Sequence, residues 1–250
     1  MNKRHLNRHQ KRNRILRAAR DAFGREGFRA TSLQMIAARA DLPKSNLIYY
    51  FGSKAGLYNT VLDDITREWN DVFECLTPEA DPATAIGTLV REKLRRVMAD
   101  PRASRIFAME IIHGAPHHGG AIREVILPWV KARTQVIEVW ISEGKMAPVD
   151  PLHLIFMIWA ITQHYADFQY QVLTLMERDA YSDADIEHIT ETVSGFVLRG
   201  CGLATGSEGP NHGSRGLGTF RPAGENAFEQ DNGVVNHDPH HCEHNEYGEH

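Results

Sequence analysis

Apolar positions in this chain recur every three to four residues and almost nowhere every second one. That spacing predicts helices and no strands. Ile15, Ala19, Ala22 and Phe23 share one face of a helix over 13–26, with Gly24 and Gly27 loosening its end. Leu33, Ile36, Ala37 and Ala40 mark a second, short helix. Thr31 is placed to be its N-cap, and Gln34, three residues on, completes a capping box. Asp41-Leu42-Pro43 breaks it, and Pro43 suits the opening of a third helix. In that helix Leu47, Tyr50 and Phe51 face inward together, which leaves Lys44, Ser45, Asn46 and Tyr49 outward or at the edge. Ser53 caps a fourth helix running to about Leu76, with Leu57, Val61, Leu62, Ile65, Trp69, Val72 and Phe73 on its buried face.

Beyond a proline-rich loop at 77–82, the same period predicts helices over 83–99, from Pro101 to near His113, and over 121–143 with a kink at Pro128. The stretch 152–175 is the most apolar; a helix apolar nearly all round is buried on more than one side. A last helix over 183–199 carries Ile186, Ile189, Val193, Phe196 and Val197 on one face. These last two helices can pair with copies of themselves as a four-helix interface. His113, His117 and His118 stand on a turn beside Gly and Pro and are expected at the surface.

Charge divides the chain. Residues 1–60 hold 13 Lys and Arg against 3 Asp and Glu, whereas 61–203 hold 13 against 21. A basic front on an acidic body is the electrostatic footprint of a nucleic-acid head on a part with another task. A short helix showing small, polar and aromatic groups suits the major groove of DNA. Lys54, at the first turn of the fourth helix, is placed to hold a phosphate. The expected DNA-binding set is Thr31, Gln34, Lys44, Ser45, Asn46, Tyr49, Tyr50 and Lys54. On spacing alone, two short helices with a turn also suit a helical protein that never meets DNA.

No apolar run reaches membrane-spanning length, and the basic N-terminus lacks the apolar core of a secretory signal. Three distant cysteines, Cys75, Cys201 and Cys242, fit a reducing compartment and no disulfide framework. A cytoplasmic protein is expected. There is no Gly-x-Ser-x-Gly, phosphate loop or His-Glu-x-x-His to support an enzyme, and no cofactor is called for.

The residues from Ile15 to Leu57 resemble the TetR family of bacterial transcriptional regulators. The resemblance rests on Ile15, Ala18, Ala19, Phe23, Gly27-Phe28, Thr31-Ser32, Ile36-Ala37, Ala40, Leu47, Tyr49-Tyr50-Phe51, Ser53-Lys54 and Leu57. The stretches 101–116 and 144–168 are similar to the pyrimidine-utilisation branch of that family, whose members respond to uracil or thymine. The aliphatic Ile48 before the two tyrosines fits the same branch. The resemblance implies an all-α fold: a three-helix helix-turn-helix DNA-binding domain, then a helical ligand-binding and dimerisation domain. It implies a homodimeric repressor that leaves its double-stranded operator when a pyrimidine base binds. The boundaries read as a flexible basic arm at 1–12, the DNA-binding domain at 13–57, the effector and dimer domain at 58–203, and a disordered acidic tail at 204–250.

A flat heteroaromatic effector needs aromatic walls and a few inward polar groups. Trp69 and Phe73 are one turn apart, as are Trp159 and Gln163; Arg105 and Met109 stand on a third helix. Gln offers a donor and an acceptor together, and Arg can donate to a carbonyl oxygen. The expected effector set is therefore Trp69, Phe73, Arg105, Met109, Trp159 and Gln163. Such an aromatic stripe also suits plain core packing, and Arg105 has Glu110 and Asp100 as alternative partners. A different small aromatic or hydrophobic ligand remains open. So does a metal-responsive regulator using His237, His240, His241, Cys242, His244 and His250 of the tail, although no defined metal site is read from their spacing.

Overall fold

A computed structural model describes residues 3–204. Among the described residues every regular element is helical. Helix α1 (Lys3–Ala30) is broken at Gly27, whose φ of 74° and ψ of 171° lie outside helical space. The basic segment expected as a flexible arm continues α1 back to Lys3 instead. Ile15, Ala19, Ala22 and Phe23 are buried as their spacing requires.

Helix α2 (Leu33–Ala40) is capped by Ser32, not by Thr31: the Ser32 hydroxyl accepts from the Met35 N–H at 3.1 Å. Thr31 turns inward, fully buried, and its hydroxyl donates to the Gly27 carbonyl at 2.7 Å. Two hydroxyls in sequence compete for one cap, and the buried site takes the one whose extra methyl gains from burial. The turn at Asp41, which has a φ of 48°, leads into α3 (Lys44–Phe51), with Pro43 as its N-cap residue. Leu47 anchors α3 in the head.

Helix α4 (Lys54–Asn70) is capped by Ser53 and passes at Asp71–Cys75 into a 3₁₀ turn, so it ends sooner than its apolar face implied. Then come α5 (Pro82–Ala99) and α6 (Pro101–Ile112), each opened by an Asp cap followed by Pro. The short α7 (Gly119–Ala121), a π turn (Ile122–Ile126) and α8 (Leu127–Ser142) replace the single kinked helix predicted there. Pro128 accounts for the wide turn: it has no N–H for the carbonyl four residues back, and its ring pushes that carbonyl aside. Helix α9 (Pro151–Asp167) stops at Phe168, and α10 (Gln169–Leu175) begins afresh. A capping box of Ser182 and Asp185 opens α11 (Asp183–Gly200).

Two apolar cores result. One joins α1–α3 to the first half of α4, and also takes in Ala103 and Ile106 of α6. The other gathers α5, α8, α9 and α11 around Trp140 and Phe73. Ion pairs brace the first: Arg20 reaches Glu68 at 3.0 Å and Asp100 at 3.2 Å, and Arg102 reaches Asp21 at 3.0 Å. Phe156 (45% exposed), Met157 (54%) and Phe196 (63%) lie on the outside, although helical period placed Phe196 with the buried face of α11. No described helix is long and apolar enough to cross a membrane. Cys75 and Cys201 are free thiols, whereas Cys242 lies outside the described residues.

Candidate nucleic-acid interface and effector cavity

Helix α3 presents Lys44, Ser45, Ile48 and Tyr49 to solvent, with Asn46 and Tyr50 half-buried at its flanks. Tyr49 is 72% exposed, and its ring meets that of Tyr50 edge to face at 5.1 Å. Gln34 is exposed on α2. These seven residues offer donors, acceptors, two rings and one aliphatic side chain, the kinds of group that read base edges in a major groove.

Two of the expected DNA contacts serve the fold instead. Thr31 is buried, as described above. Lys54 points back into the head: Nζ donates to the carbonyls of Phe28 and Thr31, both at 2.9 Å, and to Arg29 at 3.4 Å. It also sits 4.4 Å from the Phe28 ring centroid. Those carbonyls follow the Gly27 break and have no helical partner, so a lysine supplies the missing donors.

Behind α4 lies a cavity of about 390 Å³, within the usual range of small-molecule sites. Trp69 and Asn70 line it from α4, Phe73 from the 3₁₀ turn, and Trp159, Gln163 and Asp167 from α9. Helix α6 adds Phe107, Ala108, Ile111 and Ile112, and the π turn adds Ile122 and Ile126. The Phe73 ring lies edge-on to Trp159 at 6.5 Å, and Trp69 edge-on to Phe107 at 5.1 Å. The structure thus brings Trp69, Phe73, Trp159 and Gln163 to one space. Arg105 and Met109 do not join them. Arg105 is exposed and, among the described residues, bonds the Pro101 carbonyl alone, at 3.4 Å; Met109 is 47% exposed. Neither lines the cavity; Arg105 borders a neighbouring groove that Asp167 also lines.

Lys93 was absent from the expected set. It lies only 2% exposed in the cavity wall, its Nζ 4.6 Å from the Trp69 ring centroid. Burial pushes its pKa down to about 7, against the pull of Asp167. Asp167 is raised by burial, which outweighs Ser104, Lys93, Arg105 and His164. The Ser104 hydroxyl is near Asp167 but outside bonding geometry, so Ser104 Oγ and Asp167 Oδ1 are both buried without partners. A signal for Lys93 did exist. It falls four residues after Leu89, three after Val90 and four before Val97, on the apolar stripe of α5.

The histidine turn is also not the surface feature its composition implied; only His113 is exposed. Glu110, buried on α6, accepts from the backbone N–H groups of His117 at 2.6 Å and His118 at 3.0 Å. His118 is 2% exposed, with Nε2 3.0 Å from the Thr66 hydroxyl at the cavity. Burial lowers its pKa, opposed by Asp63 and Glu110. The Tyr58 phenol is raised by burial and then by Glu110. Polar groups satisfied this way hold one geometry, because leaving any of them unpaired is costly.

Among the described residues no cluster of His, Cys, Asp or Glu is arranged to hold a metal. The tail histidines named from the sequence lie outside the described residues.

A helix-turn-helix head braced on a helical body with an internal cavity is the architecture of a ligand-responsive transcriptional regulator. Residues 15–61 match the family model described as bacterial regulatory proteins, tetR family. Residues 62–204 match that of the YcdC-like protein, C-terminal region. The HTH-type transcriptional regulator RutR of Escherichia coli K12 is 38% identical over 190 residues, which cover 76% of this chain and 90% of that protein. The HTH-type transcriptional repressor NicS of Pseudomonas putida is 33% identical over 107 residues, 42% of this chain and 50% of its own. A solved tetR-family regulator from Rhodococcus RHA1 superposes with a TM-score of 0.63 at 19% identity, over 78% of this chain and 98% of that one. AibR, solved with isovaleryl coenzyme A and operator DNA, gives 0.57 at 18% identity, over 74% and 97%. The chain belongs to the TetR family of bacterial transcriptional regulators.

Proposed function

We propose that this chain acts in the cytoplasm as a homodimeric repressor that leaves its operator when a flat heteroaromatic base, uracil or thymine, fills the cavity behind α4. The single observation carrying the reading is that Trp69, Phe73, Trp159 and Gln163 surround one small space. Aromatic faces there suit a planar ring, and the Gln163 amide matches an adjacent N–H and C=O. Similarity to RutR supports the same class of effector.

Residues 13–57 supply DNA binding and 58–203 effector binding and dimerisation. Lys44, Ser45, Asn46, Tyr49 and Tyr50 meet the major groove, with Gln34 beside it. Exposed Phe156, Met157 and Phe196 mark the face that meets a second copy; two copies place two α3 helices on successive half-sites. Effector binding acts by favouring the arrangement of α4 in which that spacing fails, through differential affinity for the two states.

The test is binding of the full chain to labelled DNA from its own upstream region at fixed salt, with and without each base. Release of the DNA is expected. No release at base concentrations that saturate a thermal shift would end the reading.

A further inference from the structure

We infer that Lys93 and Asp167, together with Gln163, read the imide edge of a neutral ring, C(=O)–NH–C(=O), and so set which ligands the cavity accepts. The inference rests on the effector-site reading above and names the chemistry of that site.

Lys93 is 2% exposed, lines the cavity and has no carboxylate within ion-pair distance among the described residues. A buried ammonium without an anion is costly, and is kept where something arrives to meet it. Asp167 lines the same cavity with one carboxylate oxygen buried and unpartnered. Gln163 stands one turn before it on α9, so the two side chains share a face.

Charge logic narrows the ligand. A carboxylate would suit Lys93 but be repelled by Asp167. An organic cation would suit Asp167 but be repelled by Lys93. A purely apolar ligand would bury both without partners. A neutral group with an acceptor beside a donor satisfies both, and an imide places one N–H between two carbonyls. Its N–H meets the Asp167 carboxylate, one carbonyl accepts from Lys93 and the other from the Gln163 amide. The aromatic walls Trp69 and Trp159 confine the ring to a plane.

The test is calorimetric titration of the full chain with uracil, 1-methyluracil, 3-methyluracil and orotate. Uracil and 1-methyluracil keep the imide edge and are expected to bind alike. 3-Methyluracil, with its imide N–H blocked, is expected to bind at least about tenfold more weakly, the effect of losing one charge-assisted hydrogen bond; orotate keeps the imide edge but would bury a carboxylate with no cation left to meet it, and is also expected to bind more weakly than uracil. Lys93→Met is expected to weaken uracil by at least about tenfold while melting no lower than the parent. Equal binding of uracil and 3-methyluracil, or of uracil to the parent and to Lys93→Met, would overturn the inference. If no pyrimidine binds, the proposed effector fails, and two imides that are not pyrimidines, succinimide and hydantoin, decide the edge alone. Binding of either to the parent and its loss in Lys93→Met would uphold the assignment; binding of neither would overturn it.

Discussion

The Phe28 ring, just past the break in α1, and the His117 imidazole, on the turn after α6, lie 4.2 Å apart between centroids. Phe28 also packs on Tyr58 at 4.8 Å and receives Lys54 on its face at 4.4 Å. His117 is held by Glu110, and the neighbouring His118 touches Thr66 at the cavity. One contiguous set of contacts therefore runs from the cavity wall to the end of α1. Phe28→Leu is expected to leave effector affinity and operator affinity each within about threefold of the parent, a shift of less than ~1 kcal/mol. It should cut the loss of operator affinity caused by effector. Anisotropy titrations of operator with and without saturating effector measure that coupling; an unchanged coupling would show that the signal travels elsewhere.

Lys54 and Lys44 should separate structural from DNA-contacting cations. Lys54→Met removes the donor to three carbonyls and is expected to cost about 1–3 kcal/mol in urea unfolding. The salt dependence of operator binding should keep its slope. Lys44→Ala, on the exposed edge of α3, should leave stability within about 0.5 kcal/mol and lower the salt slope by roughly one.

Glu110 offers a graded test of the buried junction. Glu110→Ala leaves the N–H groups of His117 and His118 without an acceptor and should destabilise by about 2–4 kcal/mol. Glu110→Gln retains an acceptor oxygen and should lose less than half of that. Equal losses in urea titrations would mean that the negative charge, and not the hydrogen bonding, holds the junction.

The pH dependence of stability should report Lys93. Its folded pKa is pushed down to about 7 from 10.5, so between those values the unfolded chain holds more protons and stability rises with pH. Below about 7 both states are protonated and the burial cost is present in full. Lys93→Met should flatten the rise between pH 7 and 10 and match or exceed the parent's melting temperature at pH 7. Asp167 is raised, so its contribution falls as pH rises through the acid range, outside this window. A slope unchanged by the substitution would place the titration on another group.

The helices were legible because burial imposes a period, and Ile15, Leu47, Leu57 and Ile189 all lie where the period puts them. The aromatic part of the cavity was legible for the same reason, since Trp69 and Phe73, like Trp159 and Gln163, share a face one turn apart. What could not be read depends on contacts distant in sequence. Lys54 finds carbonyls 23–26 residues away, so its local position at a helix start pointed to phosphate. Arg105 and Met109 share a face of α6, but only the packing of Ala103 and Ile106 against the head decides which face meets the cavity. The His118 backbone is held by the carboxylate of Glu110, eight residues earlier, and its buried ring meets the Thr66 hydroxyl, 52 residues away, which turn composition does not reveal. Lys93 stood in plain view on an apolar stripe, where a charged residue is itself the signal.

Gly27 has open space where a side chain would go, yet its φ of 74° and ψ of 171° suit almost no other residue. An alanine there would meet no clash and still cost about 1–3 kcal/mol in backbone strain. The chain would relieve it by re-angling Phe28 and the carbonyls that Lys54 holds. Such a variant should still recognise its operator and still take up its small molecule, yet remain on the DNA with the pocket filled: a switch jammed in the closed position by one methyl group.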